Sequence, residues 1–339
     1  MTRTAVTRHP ACSAPPRYPL AVLPTPLTRA HRLEAALGCG PLWIKRDDLA
    51  GFGVAGNKTR PLEYLLGEAL AQGCDVLVTG GGPGSNFTAA AAMAARTAGL
   101  DCELIIWGDR GDSANLALAT AAGARICLTG DRDRAGIDDR VFARAAELRA
   151  GGRRPYPVPR GGSTPVGAVG FAVAAAELVE QLRPHPHPAL LVIAVGSGGS
   201  CAGLLAGLDM AGVGWPVLGV SVSRPPEEIG ARLTELASGC ARLLGGPCTG
   251  SAPAGRLTLV DAVGAGFGVA SAHERERALL ALRTEGLLLD DTYGAPALAA
   301  ALDRMPDLGG PLVYWHTGGL VPAITQRGAR ECAAQGGTP

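Results

Sequence analysis

Asp75-Val76-Leu77-Val78-Thr79, followed at once by Gly80-Gly81-Gly82-Pro83-Gly84-Ser85-Asn86 and then by the alanine-rich run Phe87 to Ala98, decides how this chain folds. A short apolar run bounded by glycines reads as a buried strand, the glycines as a tight turn, and the helical spacing beyond them as a helix. Working outward, the same unit recurs with Cys102 to Trp107, a helix around Ser113 to Ala122, and the short strand Arg125-Ile126-Cys127-Leu128. Upstream, Pro41 to Lys45 reads as a short strand and Leu23-Pro24-Thr25-Pro26-Leu27 is held extended by its prolines. Arg60 to Gln72 has helical spacing that stops at Gly73. A second set begins after the glycine and proline cluster Gly151 to Gly162. It comprises a helix Phe171 to Leu182, an apolar strand Ala189 to Val195, the turn Gly196-Ser197-Gly198-Gly199-Ser200 and a helix Cys201 to Met210. Strands Val217 to Val222 and Pro311 to Trp315 and helices Ser271 to Thr284 and Ala295 to Arg304 complete it. Strands alternating with helices predict parallel βαβ units. The expected fold is therefore α/β, with two open-sheet lobes and ligands in the cleft between them, outside the carboxyl ends of the strands. Residues 1 to about 20, rich in proline, threonine and arginine without periodicity, read as a loose N-terminal arm.

Composition narrows the function. With 339 residues, 47% of them hydrophobic, the chain is long and apolar enough for two domains with buried cores. A formal net charge of +1 and the absence of any polybasic run argue against nucleic acid and anionic membrane as partners and favour a small molecule. No apolar run reaches the ~18 residues of a membrane span, and the N-terminus lacks the charged-then-apolar order of a secretory signal, so a cytoplasmic location is expected. The cysteines, at 12, 39, 74, 102, 127, 201, 240, 248 and 332, are odd in number and form no C-x-x-C pair. Neither a disulfide framework nor a metal site is expected, and Cys102 and Cys127 read as small buried hydrophobes. His185 and His187 alternate with prolines and read as a rigid surface connector.

Three stretches carry chemistry. Lys58, in Ala55-Gly56-Asn57-Lys58-Thr59-Arg60 at the mouth of a helix, is either a solvated first-turn lysine or an amine nucleophile of the kind that forms Schiff bases. The turn Gly196 to Ser200, between a strand and a helix, leaves backbone N–H groups free at the positive end of a helix dipole, which suits a phosphate as well as a plain βα turn. It is not a dinucleotide fingerprint, because the third glycine of G-x-G-x-x-G falls on Cys201, and no lysine follows to make it a P-loop. Ser85 and Asn86 stand where the helix Phe87 to Ala98 starts. They fit N-cap residues, or donors to a substrate carboxylate and a cofactor oxygen.

Seven motifs in order, Ile44-Lys45-Arg46-Asp47-Asp48-Leu49, Gly56 to Tyr64, Ser85-Asn86, Pro159-Arg160-Gly161-Gly162-Ser163, Val195 to Ser200, Leu289-Asp290-Asp291-Thr292-Tyr293 and His316-Thr317-Gly318-Gly319, resemble the 1-aminocyclopropane-1-carboxylate deaminase and D-cysteine desulfhydrase family. That family belongs to the tryptophan synthase β-like, fold type II pyridoxal phosphate enzymes. The resemblance spans nearly all of the chain after residue 20. It implies pyridoxal 5'-phosphate as cofactor, with Lys58 as the Schiff-base lysine, Gly196, Ser197, Gly198, Gly199 and Ser200 around the phosphate, Asn86 at the ring oxygen and Thr317 at the pyridine nitrogen. It further implies Ser85 at the substrate carboxylate and Tyr293 at the reacting end of a small amino acid. The activity so implied is a lyase that removes the α-proton and eliminates a β-substituent, with replacement or racemisation on the same carbanion as variants and a non-catalytic ligand-binding relative as the reading from another class. A homodimer is implied too, as is a discontinuous large domain of residues 1–52 and 166–339 and a small closing domain of residues 53–165.

The departures from that pattern also matter. Gly294 follows Tyr293 where deaminases of the family carry an acid, and Gly266-Phe267-Gly268 stands for the usual Gly-Tyr-Gly. The usual Ser-Asn-His or Ser-Asn-Gln is Ser85-Asn86-Phe87, and Ala295-Pro296 replaces glycine-lysine. Together these point away from cyclopropane ring opening and towards an altered, bulkier or less polar substrate. Asp290 and Asp291, adjacent on an extended segment, face opposite ways and are expected to be structural. His316 is expected to order the glycine turn after it, Arg46, Asp47 and Asp48 to form an ion-paired surface, and Tyr64 to pack a helix.

Overall fold

The structure, a computed structural model, describes residues 15–109, 111, 113–131, 133–246 and 255–326. Strands that are apolar on both faces need cover on both faces, and the chain supplies it twice. In order it forms β1 (Leu27–Arg29), α1 (His31–Leu37), β2 (Leu42–Arg46), α2 (Thr59–Ala71), β3 (Val76–Gly81), α3 (Asn86–Thr97), β4 (Asp101–Ile106), α4 (Ala114–Ala121), β5 (Arg125–Leu128), α5 (Ile137–Ala150) and β6 (Pro155–Val158). It continues with α6 (Pro165–Leu182), β7 (Leu190–Val195), α7 (Gly199–Met210), β8 (Val217–Ser221), α8 (Pro226–Leu243), β9 (Leu257–Asp261), α9 (Ala272–Glu285), α10 (Gly294–Leu302) and β10 (Leu312–His316).

The two open α/β sheets are as the sequence indicates. One has four parallel strands in the order β5-β4-β3-β6. The other has six in the order β1-β2-β10-β7-β8-β9, parallel except for β1. Alternate residues of β7 separate two cores: Leu191, Ile193 and Val195 pack under α6, α7 and α8, while Val192 and Ala194 pack under α9 and α10. The smaller sheet buries Leu77 and Leu104 against α2, α3 and α4, and Val76, Val78 and Ile105 against α5. Helix α2 joins the cores, since Leu62, Leu65 and Leu66 belong to the small-sheet core and Tyr64 to the large-sheet one.

The strand order fixes where a ligand can sit. In the large sheet the chain runs outward from β7 through β8 to β9 and returns to place β10 on the other side of β7; in the small sheet β4 and β6 flank β3 in the same way. A crevice opens at the carboxyl ends wherever the strand order reverses. The turn after β7 and the residue after β10 flank one crevice, and the turns after β3 and β6 flank the other.

Several expectations need correction. Gly80 and Gly81 belong to β3 rather than to the turn, and a Cβ on Gly80 would lie 2.9 Å from the Val141 side chain, so α5 packs on β3 only because glycine is there. The glycine and proline cluster Gly151 to Gly162, read only as the boundary before the second set, contains β6, whose Pro155 and Pro157 are tolerated because it is an edge strand. Helix α6 starts at Pro165, after the N-cap Thr164, and is long and apolar enough by composition for a membrane span; it is a core helix with more than half its residues buried. Of the arm, residues 1–14 lie outside the described residues, but Arg17 pairs with Glu63 at 2.9 Å and the Leu20 and Ala21 N–H groups donate to the same carboxylate. Asp47 is no surface group: it is fully buried, bidentate to Arg60 at 2.8 Å, with Thr25, Lys45 and Glu177 completing the cluster, while Arg46 pairs with Asp48. Cys102 is buried and Cys127 half-buried; Cys12, Cys248 and Cys332 lie outside the described residues.

Candidate active site

A cleft of about 760 Å³ gathers Lys58, Ser85, Asn86, Gly196 to Ser200, Tyr293 and Thr317, all of which line it. Each arrives from a strand end or helix start. Lys58 closes a short 3₁₀ turn, Gly56 to Lys58, and is the N-cap of α2. That turn is pressed onto the segment after β10. The Asn57 N–H donates to the Thr317 carbonyl at 3.0 Å, and Gly56, at φ +53°, approaches so closely that a Cβ would lie 2.7 Å from the same oxygen. Lys58 is thereby held beside Thr317 by backbone, not by its own side chain.

Burial lowers the Lys58 amine from 10.5 to about 8, and the Asp290 carboxylate partly opposes the shift. Asp290 is itself pushed up to about 6 by burial, although it accepts from the Tyr293 and Gly294 N–H groups at 3.3 and 2.9 Å. Lys45 and Lys58 are the only lysines in the chain. Lys45 is fully buried, with its ammonium on Glu177, the Thr25 carbonyl and Gln181, which leaves Lys58 as the one lysine facing the cleft.

The turn after β7 has the build of an oxyanion cradle. Gly198 is left-handed at φ +98° and is the N-cap of α7, whose first return bond runs from the Ala202 N–H to the Gly198 carbonyl, so the Ser200 and Cys201 N–H groups precede any intrahelical acceptor. Ser163 braces the turn, its hydroxyl 2.7 Å from Ser197 Oγ and accepting from the Gly199 N–H at 3.1 Å. Arg232 donates to the Ser197 carbonyl at 3.1 Å, and Asn57 Nδ2 donates to Ser200 Oγ at 3.1 Å. A Cβ on Gly161 would lie 2.1 Å from Ser197 Oγ, so only glycine lets the turn after β6 close over this loop. Free N–H groups, hydroxyls and a guanidinium around a glycine turn fit a phosphate monoester.

Ser85 is the N-cap of α3, accepting from the Thr88 N–H at 3.3 Å, and it also lines the cleft. Asn86 accepts from Asn115 Nδ2 at 2.8 Å, which leaves its own amide N–H₂ as the donor towards the cleft. Tyr293 packs edge to face on Phe267, with ring centroids 6.1 Å apart, and burial raises its phenol so that it is neutral and can donate. His316 Nδ1 accepts from the Gly318 N–H at 3.3 Å, the ordering role expected of it, and burial lowers the imidazole to about 4.

Four contributors escaped the sequence reading: Asn57, Asn115, Ser163 and Asp290. Asn57 and Ser163 lie inside motifs that had been singled out, whereas nothing local marks Asn115. Asp290 and Asp291 do face apart, as expected. However, Asp291 turns to Arg275 at 3.2 Å while Asp290 lines the cleft beside Lys58, so Asp290 is more than structural.

The sequence pattern describing pyridoxal-phosphate dependent enzymes matches residues 18–318. The chain belongs to that family. A solved structure described as an ACC deaminase homologue is 31% identical and covers 93% of this chain and 96% of its own, with a TM-score of 0.84. The D-cysteine desulfhydrase of Salmonella typhi is 33% identical over 321 residues, covering 91% of this chain and 95% of its own. The nocardicin C-9' epimerase of Nocardia uniformis is 35% identical over 309 residues, covering 89% of this chain and 92% of its own. The fold is the tryptophan synthase β-like, type II architecture, and the protein is an enzyme of the pyridoxal phosphate-dependent lyase and deaminase group, with pyridoxal 5'-phosphate as its cofactor. The non-catalytic reading falls away with that assignment.

Proposed function

We propose that the protein is a lyase of the D-cysteine desulfhydrase type, taking the α-proton from a small amino acid and expelling its β-substituent, with a 2-oxo acid and ammonia as products. The observation that carries this reading is the Lys58 amine, near pKa 8, lining one cleft with the glycine cradle and Thr317. Bound there, the cofactor supplies an electron sink conjugated with the substrate Cα. Gly196, Ser197, Gly198, Gly199 and Ser200 would hold its phosphate, Asn86 would face its ring oxygen, and Thr317 would offer the pyridine nitrogen a hydroxyl instead of a carboxylate. Lys58 would be its covalent anchor, and its free amine would be a base for the α-proton. Ser85, at the start of α3, takes the substrate carboxylate, where the helix dipole favours negative charge, and Tyr293 stands at the β-substituent as a neutral donor.

In this reading residues 53–165 move as a small domain against 1–52 and 166–339, and their closure excludes water from the reacting carbon. The working form is a cytoplasmic homodimer. A second reading, racemisation or epimerisation on the same carbanion, is supported by the relative named as an epimerase and by Gly294, which leaves no acid after Tyr293 to assist a leaving group.

The test is to incubate the cofactor-loaded enzyme in heavy water with D-cysteine, L-cysteine, serine and aminocyclopropane carboxylate in turn, following ammonia, the 2-oxo acid (pyruvate, or 2-oxobutanoate from the cyclopropane) and, for the first three, the α-proton signal. A 2-oxo acid from one amino acid identifies the lyase, and α-exchange with inversion but no 2-oxo acid identifies the epimerase. Absence of both exchange and product with every amino acid contradicts the proposal.

A further inference from the structure

Four guanidiniums and Lys58 line the cleft, against the carboxylates of Asp133, Asp138, Glu228 and Asp290. Two of its guanidiniums are neutralised: Arg160 lies 3.2 Å from Asp138, and Arg224 is paired with Glu228. Two others lean on backbone carbonyls. Arg232 donates to the Ser197 and Ser163 carbonyls at the cradle end. Arg134 donates through Nη2 to the Ser223 carbonyl at 2.8 Å and lies over the Phe267 ring, 5.5 Å from its centroid. Among the described residues no carboxylate forms an ion pair with Arg134; the neighbouring Asp133 accepts from the Ala135 N–H instead. One bond to a carbonyl leaves most of a guanidinium's five donors free.

The position of Arg134 is specific. Phe267 separates it from Tyr293, whose ring lies against Gly196, and Ser223, which holds Arg134, bonds Gly196 through its own hydroxyl at 3.1 Å. Arg134 therefore stands one aromatic ring beyond the residue assigned to the β-substituent, at the same end of the cleft. Phe267, at 43% exposed, offers an apolar face there and no hydroxyl to compete for a polar substituent. A cation held by a carbonyl on one side and an aromatic face on the other is fixed in orientation, and it recognises carboxylates and similar oxyanions through paired N–H donors.

We infer that Arg134 is a specificity-determining residue, and that the amino acid substrate carries a second anionic group on its β-substituent, which Arg134 binds beyond Phe267 and Tyr293. This rests on the proposed reading of the cleft as an amino acid site. A cysteine or serine derivative with a short thioether or ether arm ending in a carboxylate has the right form, with the apolar arm on Phe267 and the carboxylate on Arg134.

A matched pair tests it: S-carboxymethylcysteine and its neutral isostere S-carbamoylmethylcysteine, each as D and L forms, titrated into cofactor-loaded enzyme while the visible spectrum is followed for binding. The expected result is at least tenfold tighter binding of the anionic member of one enantiomeric pair, loss of that preference in Arg134→Gln with neutral-isostere affinity retained, and its partial return in Arg134→Lys. Equal binding of the two members by the unaltered enzyme overturns the inference and leaves the amino acid site standing. If no amino acid, alanine included, perturbs the spectrum, the inference and the proposed function fall together.

Discussion

The pKa of Lys58 can be measured without cofactor or substrate. Burial lowers the amine to about 8 from 10.5. At pH 7 a lysine of pKa 8 is about 9% neutral and an ordinary one about 0.03%, so the nucleophilic form is enriched ~300-fold, equivalent to about 3 kcal/mol. Because the chain's other lysine, Lys45, is fully buried and held by Glu177, an amine-directed reagent has one reactive lysine to find. Cofactor-free protein is pulsed with acetic anhydride across pH 6 to 11, and acetylation of the Lys58 and Lys45 peptides is read by mass spectrometry. The Lys58 rate should rise to a plateau with a midpoint near 8, with Lys45 labelled far more slowly throughout. Asp290→Asn removes the carboxylate that holds the ammonium up, so the midpoint should fall below that of the unaltered protein. A Lys58 midpoint above 10, or one that rises in Asp290→Asn, refutes the electrostatic account of this site.

Asp47→Asn strands Arg60 in a buried cluster and should cost about 3–5 kcal/mol in urea unfolding, whereas an exposed ion pair such as Arg140 with Asp131 should contribute less than about 1 kcal/mol. Gly161→Ala places a methyl 2.1 Å from Ser197 Oγ at φ +70°, so it should weaken pyridoxal phosphate retention on dialysis while leaving the circular dichroism of the fold unchanged. His316 is held at about 4 against 6.5, so the unfolded chain takes up its proton first and stability is lost as pH falls from 6.5 towards 4. Over that interval His316→Asn should lose up to about 3 kcal/mol less than the unaltered protein in urea titrations at each pH.

The strands that build the sheets were legible because they are short, mostly apolar runs between turn residues: β5 has the expected bounds, and β3, β4, β7 and β10 fall within one or two residues of them. The exceptions have local causes. β6 carries two prolines, and a strand is not read through them until its edge position in the sheet is known. Helix α8 has a plain apolar stripe, Ile229, Leu233, Leu236, Ala237 and Cys240, but Pro225 caps it and Pro226 opens it, which makes its start resemble a loop. In the site, neither Lys58 nor the glycine turn is decided by its own residues, since a solvated first-turn lysine and a plain βα turn read the same way; their place in the ordered series of seven motifs is what singles them out. Asn115 has no such signal, since its role exists only once α4 packs beside the start of α3 and brings it within 2.8 Å of Asn86. Asp290 was misread for the opposite reason: the two-fold alternation of a strand separates it from Asp291 correctly, but cannot say which of the two faces the cleft.

The central claim is that Lys58 holds pyridoxal phosphate in this cleft, and the most direct measurement is the near-ultraviolet and visible absorbance of the purified protein beside its Lys58→Ala variant. The account predicts a visible band of lysine-linked cofactor in the unaltered protein, fixed to the Lys58 peptide by borohydride, and no such linkage in the variant. A band of equal strength in Lys58→Ala, or cofactor fixed by borohydride to any other residue, would contradict it.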